Sequence, residues 1–295
     1  MPTATFEGIL PAVITPFDAD GNFAPAAFER LLEKLYAVPI DGLYVSGQTG
    51  EGHLQPVSQR KQSAEIALRC SPPGKTVVIH VGAYRTSDAL ELARHAASIG
   101  AHAVASLPPL GSYSFAEVEA YYRSLAAVSD VPILVYYFPA ISPVIRETQQ
   151  ALDLLAIPNV IGFKFTDHNL YQLSQIKKSG AVIFNGHDEV LTAGLLMGAD
   201  GGIGSFYNLI PELFVEAFRL ARQGQWERAR HIQKRINELV EIVLRFPLTP
   251  AIKLILSWTG MNCGRCLEPR RSLTPQEESC LRAALRDSSF ASLAG

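Results

Sequence analysis

The sequence predicts an α/β fold, a (β/α)8 TIM barrel with an appended C-terminal helical layer. Three observations carry this prediction. Eight short runs rich in Val, Ile, Leu and Phe alternate with longer segments of helical period. The runs are almost continuously apolar, as strands buried on both faces must be. The first run leads into "TPFDADG" and lacks the GxGxxG turn expected of a doubly wound open sheet.

The eight candidate strands follow in order. "GILPAVITPF" begins at Gly8, "DGLYVSG" at Asp41, "TVVIHVGA" at Thr76 and "AHAVASLPP" at Ala101. "PILVYYFP" begins at Pro132, "VIGFKFT" at Val160, "AVIFNG" at Ala181 and "GGIGSF" at Gly201. Helical segments between them include "AAFERLLEKLYAV", "SDALELARHAASIG", "FAEVEAYYRSLAAV" and "PELFVEAFRLARQG". Gly100, Gly180, Gly198 and Gly224 stand where helices need a C-terminal cap. The barrel is assigned residues 1–222, and residues 223–295 a helical extension packed on it. That extension contains "WERARHIQKRINELVEIVLRF" and "PQEESCLRAALRD" and reads as a layer, not a second catalytic domain.

Composition narrows the function classes. The 295 residues are 48% hydrophobic and 18% charged, so a large core forms and disorder is excluded. A formal net charge of -2 and a pI near 6.4 give nucleic acid no basic surface. "PRRS" around Arg270 reads as a solvated loop. No span reaches membrane length, and Pro11 and Pro16 interrupt the only apolar run near the N-terminus. A cytoplasmic location is therefore expected. Cys263 and Cys266 form a lone CxxC without a second pair, and the histidines show no HxxxH spacing. No metal is expected, and Cys70, Cys263, Cys266 and Cys280 read as free thiols of a reducing compartment.

Active sites of such barrels lie at the C-terminal ends of the strands, so polar residues there matter. Lys164 stands between Phe163 and Phe165. A lysine inside a barrel strand loses hydration, which favours the neutral amine that attacks carbonyls. The alternative is a lysine paired with a buried carboxylate. One of Tyr136 and Tyr137 points inward, because side chains alternate. Gly186 allows close backbone approach, and Asp188 and Glu189 are acceptors for hydroxyls or acidic residues opening a helix. "GGIGSFYN", with Gly204 and Ser205, is a turn able to cradle an anion or to let the barrel close.

"GQTGE", "VYYFPA", "GFKFTD", "NGHDE" and "GADGGIGSFYN" together resemble the N-acetylneuraminate lyase and dihydrodipicolinate synthase family, over nearly the whole chain. The resemblance implies a homotetrameric class I aldolase that binds pyruvate as a Schiff base. It implies no cofactor besides that covalent bond. Its partners are a small 2-keto acid and an aldehyde. By position, Lys164 matches the Schiff-base lysine and Tyr136 the tyrosine acting as acid and base. Thr49 and the N–H groups of "QTG" match the loop holding the pyruvate carboxylate; Gln48 lies in it. Glu51 reads as a helix N-terminal or loop-anchoring residue, with a place in the site as the alternative.

Dihydrodipicolinate synthases resemble one another in an arginine two residues after the proline of the fifth-strand motif. This chain has Ile141 there. "NGHDE" and "GIGSFYN" resemble the N-acetylneuraminate lyase branch, which implies sugar-hydroxyl contacts for Gly186, Asp188, Glu189, Gly204 and Ser205, with Thr166 facing the same cavity. The alternatives are a 2-keto-3-deoxy sugar acid aldolase or dehydratase, a dihydrodipicolinate synthase, which Ile141 disfavours, or a barrel that binds a keto acid without turnover. Two departures stand out. Most members carry Ser or Thr where this chain has Gln48. The loop tyrosine that bacterial members lend to a neighbouring subunit falls near Leu110 and Gly111, with Tyr113 slightly later.

Overall fold

The computed structural model describes residues 6–295. Eight strands lie parallel: β1 (Gly8–Pro11), β2 (Gly42–Val45), β3 (Thr76–His80), β4 (Ala103–Ser106), β5 (Ile133–Tyr137), β6 (Val160–Phe165), β7 (Val182–Asn185) and β8 (Gly201–Gly204). Each is hydrogen-bonded to its sequence neighbour, and β1 also pairs β8. The ring closes between β1 and β2 through Asp41 N–H to Ile9 O (2.9 Å) and Val13 N–H to Tyr44 O (2.9 Å).

The helices follow the strands: α1 (Pro25–Tyr36), α2 (Val57–Cys70), α3 (Thr86–Ser98), α4 (Phe115–Val128), α5 (Thr148–Leu155), α6 (Leu170–Lys177), α7 (Leu191–Leu196) and α8 (Pro211–Arg222). Three more come after the barrel: α9 (Trp226–Val243), α10 (Leu248–Trp258) and α11 (Pro275–Arg286). Strand alternation divides the core in two. Leu10, Tyr44, Val78, Leu134, Tyr136, Phe184 and Ile203 fill the barrel interior. Leu43, Val77, Val104, Val135, Phe163, Phe165 and Ile183 face outward against the helices. Of the tyrosine pair, Tyr136 is therefore the inward member, while Tyr137 packs on Phe165 and hydrogen-bonds Gln172.

The four glycines expected to cap helices all adopt positive φ, between 71° and 104°. That conformation costs a residue with a Cβ but not glycine. α10 is the helix that periodicity does not single out. Its segment "LTPAIKLILSW" is buried on most of its surface, and its polar residues Thr249 and Lys253 turn inward to Arg270 and Glu51, so no solvent-facing stripe marks a face. Among the described residues no helix is long and apolar enough to cross a membrane.

Candidate active site

The strand register sets the centre of the site. Tyr136 of β5 lies directly beside Lys164 of β6. With Phe163 and Phe165 turned outward, Lys164 must point into the barrel, where it is 3% exposed. Its Nζ sits 4.1 Å from the Tyr136 ring centroid and 4.5 Å from that of Tyr44. Among the described residues Nζ has no hydrogen-bond or ion-pair partner, so it is not the lysine of a structural ion pair. Burial pushes its ammonium down to about 7, with Asp188 pulling the other way. Burial pushes the Tyr136 hydroxyl well up, so it is protonated at neutral pH.

The loop after β2 meets this centre from one side. Ser46 and Glu51 hold positive φ (58° and 56°), a strained state for residues with a Cβ. The fold over-determines it: Gly52 N–H bonds Gly47 O (3.0 Å) and Glu51 N–H bonds Gln48 O (3.1 Å). The resulting turn leaves the N–H groups of Gln48, Thr49 and Gly50 without an acceptor among the described residues. Consecutive unpaired N–H groups form a concavity suited to a carboxylate. The Gln48 side chain is likewise unbonded, whereas Thr49 Oγ1 pairs with Ser205 Oγ at 2.6 Å.

β7 and β8 supply the opposite wall. Asp188 Oδ2 accepts from Ser205 N–H (3.0 Å) and Phe206 N–H (2.9 Å), and Oδ1 has no partner. Burial pushes this carboxyl up to about 7, against the pull of the Phe206 N–H. Asp188 is thus a buried bracket between two loops, with one oxygen left over, rather than a rim carboxylate. A Cβ on Gly204 would lie 1.6 Å from Asp188 Oδ1, and one on Gly186 1.9 Å from Thr166 Oγ1, so side chains are excluded at both positions. Thr166 Oγ1 is buried without a hydrogen-bond partner. Glu189 accepts from His168 Nε2 (2.9 Å) and lies 3.2 Å from His187 Nδ1. Burial alone raises its carboxyl, but the two imidazoles hold it down at about 2.

The C-terminal helices brace both walls. Gln233 of α9 donates to Asp188 O and accepts from Thr192 N–H, and Asn237 donates to Glu189 O. Lys253 of α10 and Glu51 form an ion pair at 2.8 Å with both side chains essentially buried, and Glu51 also accepts from Leu267 N–H. Glu51 therefore ties its loop to the C-terminal segment. Arg270 is not the solvated residue expected: it donates to Gln48 O (3.1 Å) and to Thr249 Oγ1. A cavity of about 680 Å³ lined by Phe17, Lys253, Leu254, Cys266 and Leu273 lies by this brace, away from the lysine. The four cysteines are free, and burial pushes Cys263 up to about 11 and Cys266 up to about 12, which makes both poor nucleophiles.

Sequence reasoning does not reach Tyr44, His80, Gln233, Asn237 or Arg270. Tyr44 was legible in principle, because alternation along "DGLYVSG" turns it inward. His80 is fully buried; its Nε2 accepts from Leu107 N–H, so Nδ1 carries the proton and donates to Ser46 O at 3.1 Å. Nothing local in the sequence pairs it with the β2 loop. Ile141 and Tyr113 are both exposed, 39% and 43%.

A closed parallel barrel with an unpaired lysine buried beside a tyrosine at its mouth is the architecture of Schiff-base-forming aldolases. A model of the "Dihydrodipicolinate synthetase family" matches residues 5–288. N-acetylneuraminate lyase of Rhizobium meliloti is 35% identical over 95% of this chain and 94% of its own. N-acetylneuraminate lyase 2 of Escherichia coli is 33% identical over 90% and 88%. The structure of wild-type Ruminococcus gnavus sialic acid aldolase superposes with a TM-score of 0.91 at 28% identity, covering 98% of this chain and 97% of that one. The Clostridium difficile protein CdNal, in complex with mannosamine, also gives 0.91, at 27% identity over 96% and 99%. The chain belongs to the dihydrodipicolinate synthetase family, and within it is a pyruvate-dependent class I aldolase, a carbon–carbon lyase.

Proposed function

We propose that the protein cleaves a 2-keto acid sugar to pyruvate and an aldehyde, with N-acetylneuraminate as substrate. The observation that carries the reading is Lys164: buried, unpaired and with an ammonium near neutrality. Its neutral amine attacks the substrate ketone, and loss of water from the carbinolamine leaves an iminium. The unpaired N–H groups after β2 and Thr49 hold the substrate carboxylate. The iminium accepts the electron pair of the bond between the third and fourth carbons as that bond breaks. Tyr136 takes the proton of the fourth-carbon hydroxyl while passing its own to the substrate carboxylate, which suits a tyrosine protonated at rest. The aldehyde departs, the enamine carbon is reprotonated, and water hydrolyses the iminium to free pyruvate.

The Asp188, Glu189 and Ser205 wall, with Gly186, Gly204 and Thr166, receives the polyhydroxyl chain in this reading, and Gln48 lies beside the carboxylate. The names of the relatives support N-acetylneuraminate over shorter sugar acids. The reading carries with it a cytoplasmic homotetramer, which light scattering on the purified chain checks for assembly. Incubation with N-acetylneuraminate should yield pyruvate and N-acetylmannosamine in equal amounts. No cleavage, with turnover of a 2-keto-3-deoxy sugar acid instead, would move the assignment to that substrate class.

A further inference from the structure

His168, in the loop after β6, and His187 and Glu189, in the loop after β7, meet at the outer rim of the barrel mouth. His168 Nε2 lies 2.9 Å and His187 Nδ1 3.2 Å from the same carboxylate atom, Glu189 Oε1. The two imidazoles stack with centroids 4.0 Å apart and planes 22° from parallel. All the candidate ligand atoms fall within 4.8 Å of one another. Ligands held ~2.1 Å from one ion at tetrahedral angles are themselves ~3.4 Å apart. The two nitrogen–oxygen separations, 2.9 and 3.2 Å, fall a little short of that spacing. Both contacts must open by a few tenths of an ångström and the stacked rings must splay so that each presents its in-plane lone pair to the ion; the 61%-exposed His168 side chain has room to do this.

In the present arrangement His168 is hydrogen-bonded to Glu189 Oε1, and His187 Nδ1 lies against the same oxygen. A cation between the three would be met by one lone pair from each ligand. Two imidazole nitrogens and a carboxylate select a borderline metal over calcium or magnesium, which prefer all-oxygen shells. We propose that His168, His187 and Glu189 form a binding site for a zinc-class divalent transition-metal ion at the mouth of the barrel. The ion takes no part in bond cleavage. It occupies the Glu189 carboxylate and so blocks the outer end of the substrate site; this consequence, but not the binding itself, rests on the proposed function.

The test uses the full chain, stripped with EDTA and free of substrate. Zn²⁺ is titrated by calorimetry and Co²⁺ by visible absorption. One ion per chain is expected, with Co²⁺ bands of low coordination number. His168→Gln and Glu189→Gln should each weaken uptake by about tenfold or more and remove the bands, while Cys266→Ser leaves uptake unchanged. Thermal melts check that the variants are folded, and His168→Gln alters only an exposed side chain. No stoichiometric uptake by the wild-type chain would overturn the proposal. So would uptake unchanged in both variants, or lost in Cys266→Ser, either of which places the ion at other donors. Failure of the lyase reading leaves the binding result standing, since no turnover is measured.

Discussion

Lys164 owes its chemistry to its neighbours in the strand. Phe163 and Phe165 claim the outward positions, and the lysine is left among aromatic faces with no counter-ion in contact. Because its ammonium is pushed down to about 7, the neutral fraction rises through neutrality and saturates above it. The rate of adduct formation with pyruvate should fall ~10-fold per pH unit well below that value and flatten above pH 8. Borohydride trapping at short times across pH measures this; a rate still climbing steeply at pH 9 would mean an ordinary lysine. Gln48 is the other residue with a distinctive prediction. Its amide has no partner, so replacing it breaks no bond. Gln48→Ser supplies the hydroxyl that most relatives are expected to carry, and should raise kcat for N-acetylneuraminate cleavage on the order of 10-fold without shifting the melting temperature. An unchanged kcat would mean that water or another group already moves the proton. Lys164 was legible because a charged residue in an apolar run is conspicuous. Alternation could have turned Tyr44 inward but not marked it as more than core packing, and His80 was not legible, since a histidine on a strand is usually a packed core residue.

The loops at the mouth are held from behind. The β2 loop is fixed by Glu51, through Lys253 and Leu267, and by Arg270 on Gln48 O. The β7 loop is fixed by Gln233 and Asn237 of α9. The C-terminal helices thus do more than cover the barrel: they brace a strained turn whose free N–H groups face the site. Lys253→Met leaves the buried Glu51 without its counter-ion, and should cost about 3–5 kcal/mol in urea unfolding. Adding Glu51→Gln should recover part of that loss; a single variant as stable as the wild type would show that the pair does not hold the loop. Helix ends were readable from glycine chemistry. The braces were not, because their partners are 45 to 222 residues apart in the chain and only the fold brings them together.

For the molecule as a whole, eight buried strands and their connecting helices leave a periodic signature that few other folds share. The barrel could therefore be read before any coordinate. What the sequence hides is convergence: Asp188 reads as an open acceptor until its hydrogen bonds to Ser205 and Phe206 appear, and His168 and His187 read as scattered until the β6 and β7 loops stack them. The claim on which the whole functional reading depends is that a lysine at the barrel centre forms a covalent bond with a keto acid. Treating the protein with pyruvate and borohydride, then mapping the modification by peptide mass spectrometry, tests it directly. One reduced pyruvate adduct per chain is predicted, on Lys164 and absent from Lys164→Ala. No adduct, or an adduct on another lysine with Lys164 unmodified, would contradict it.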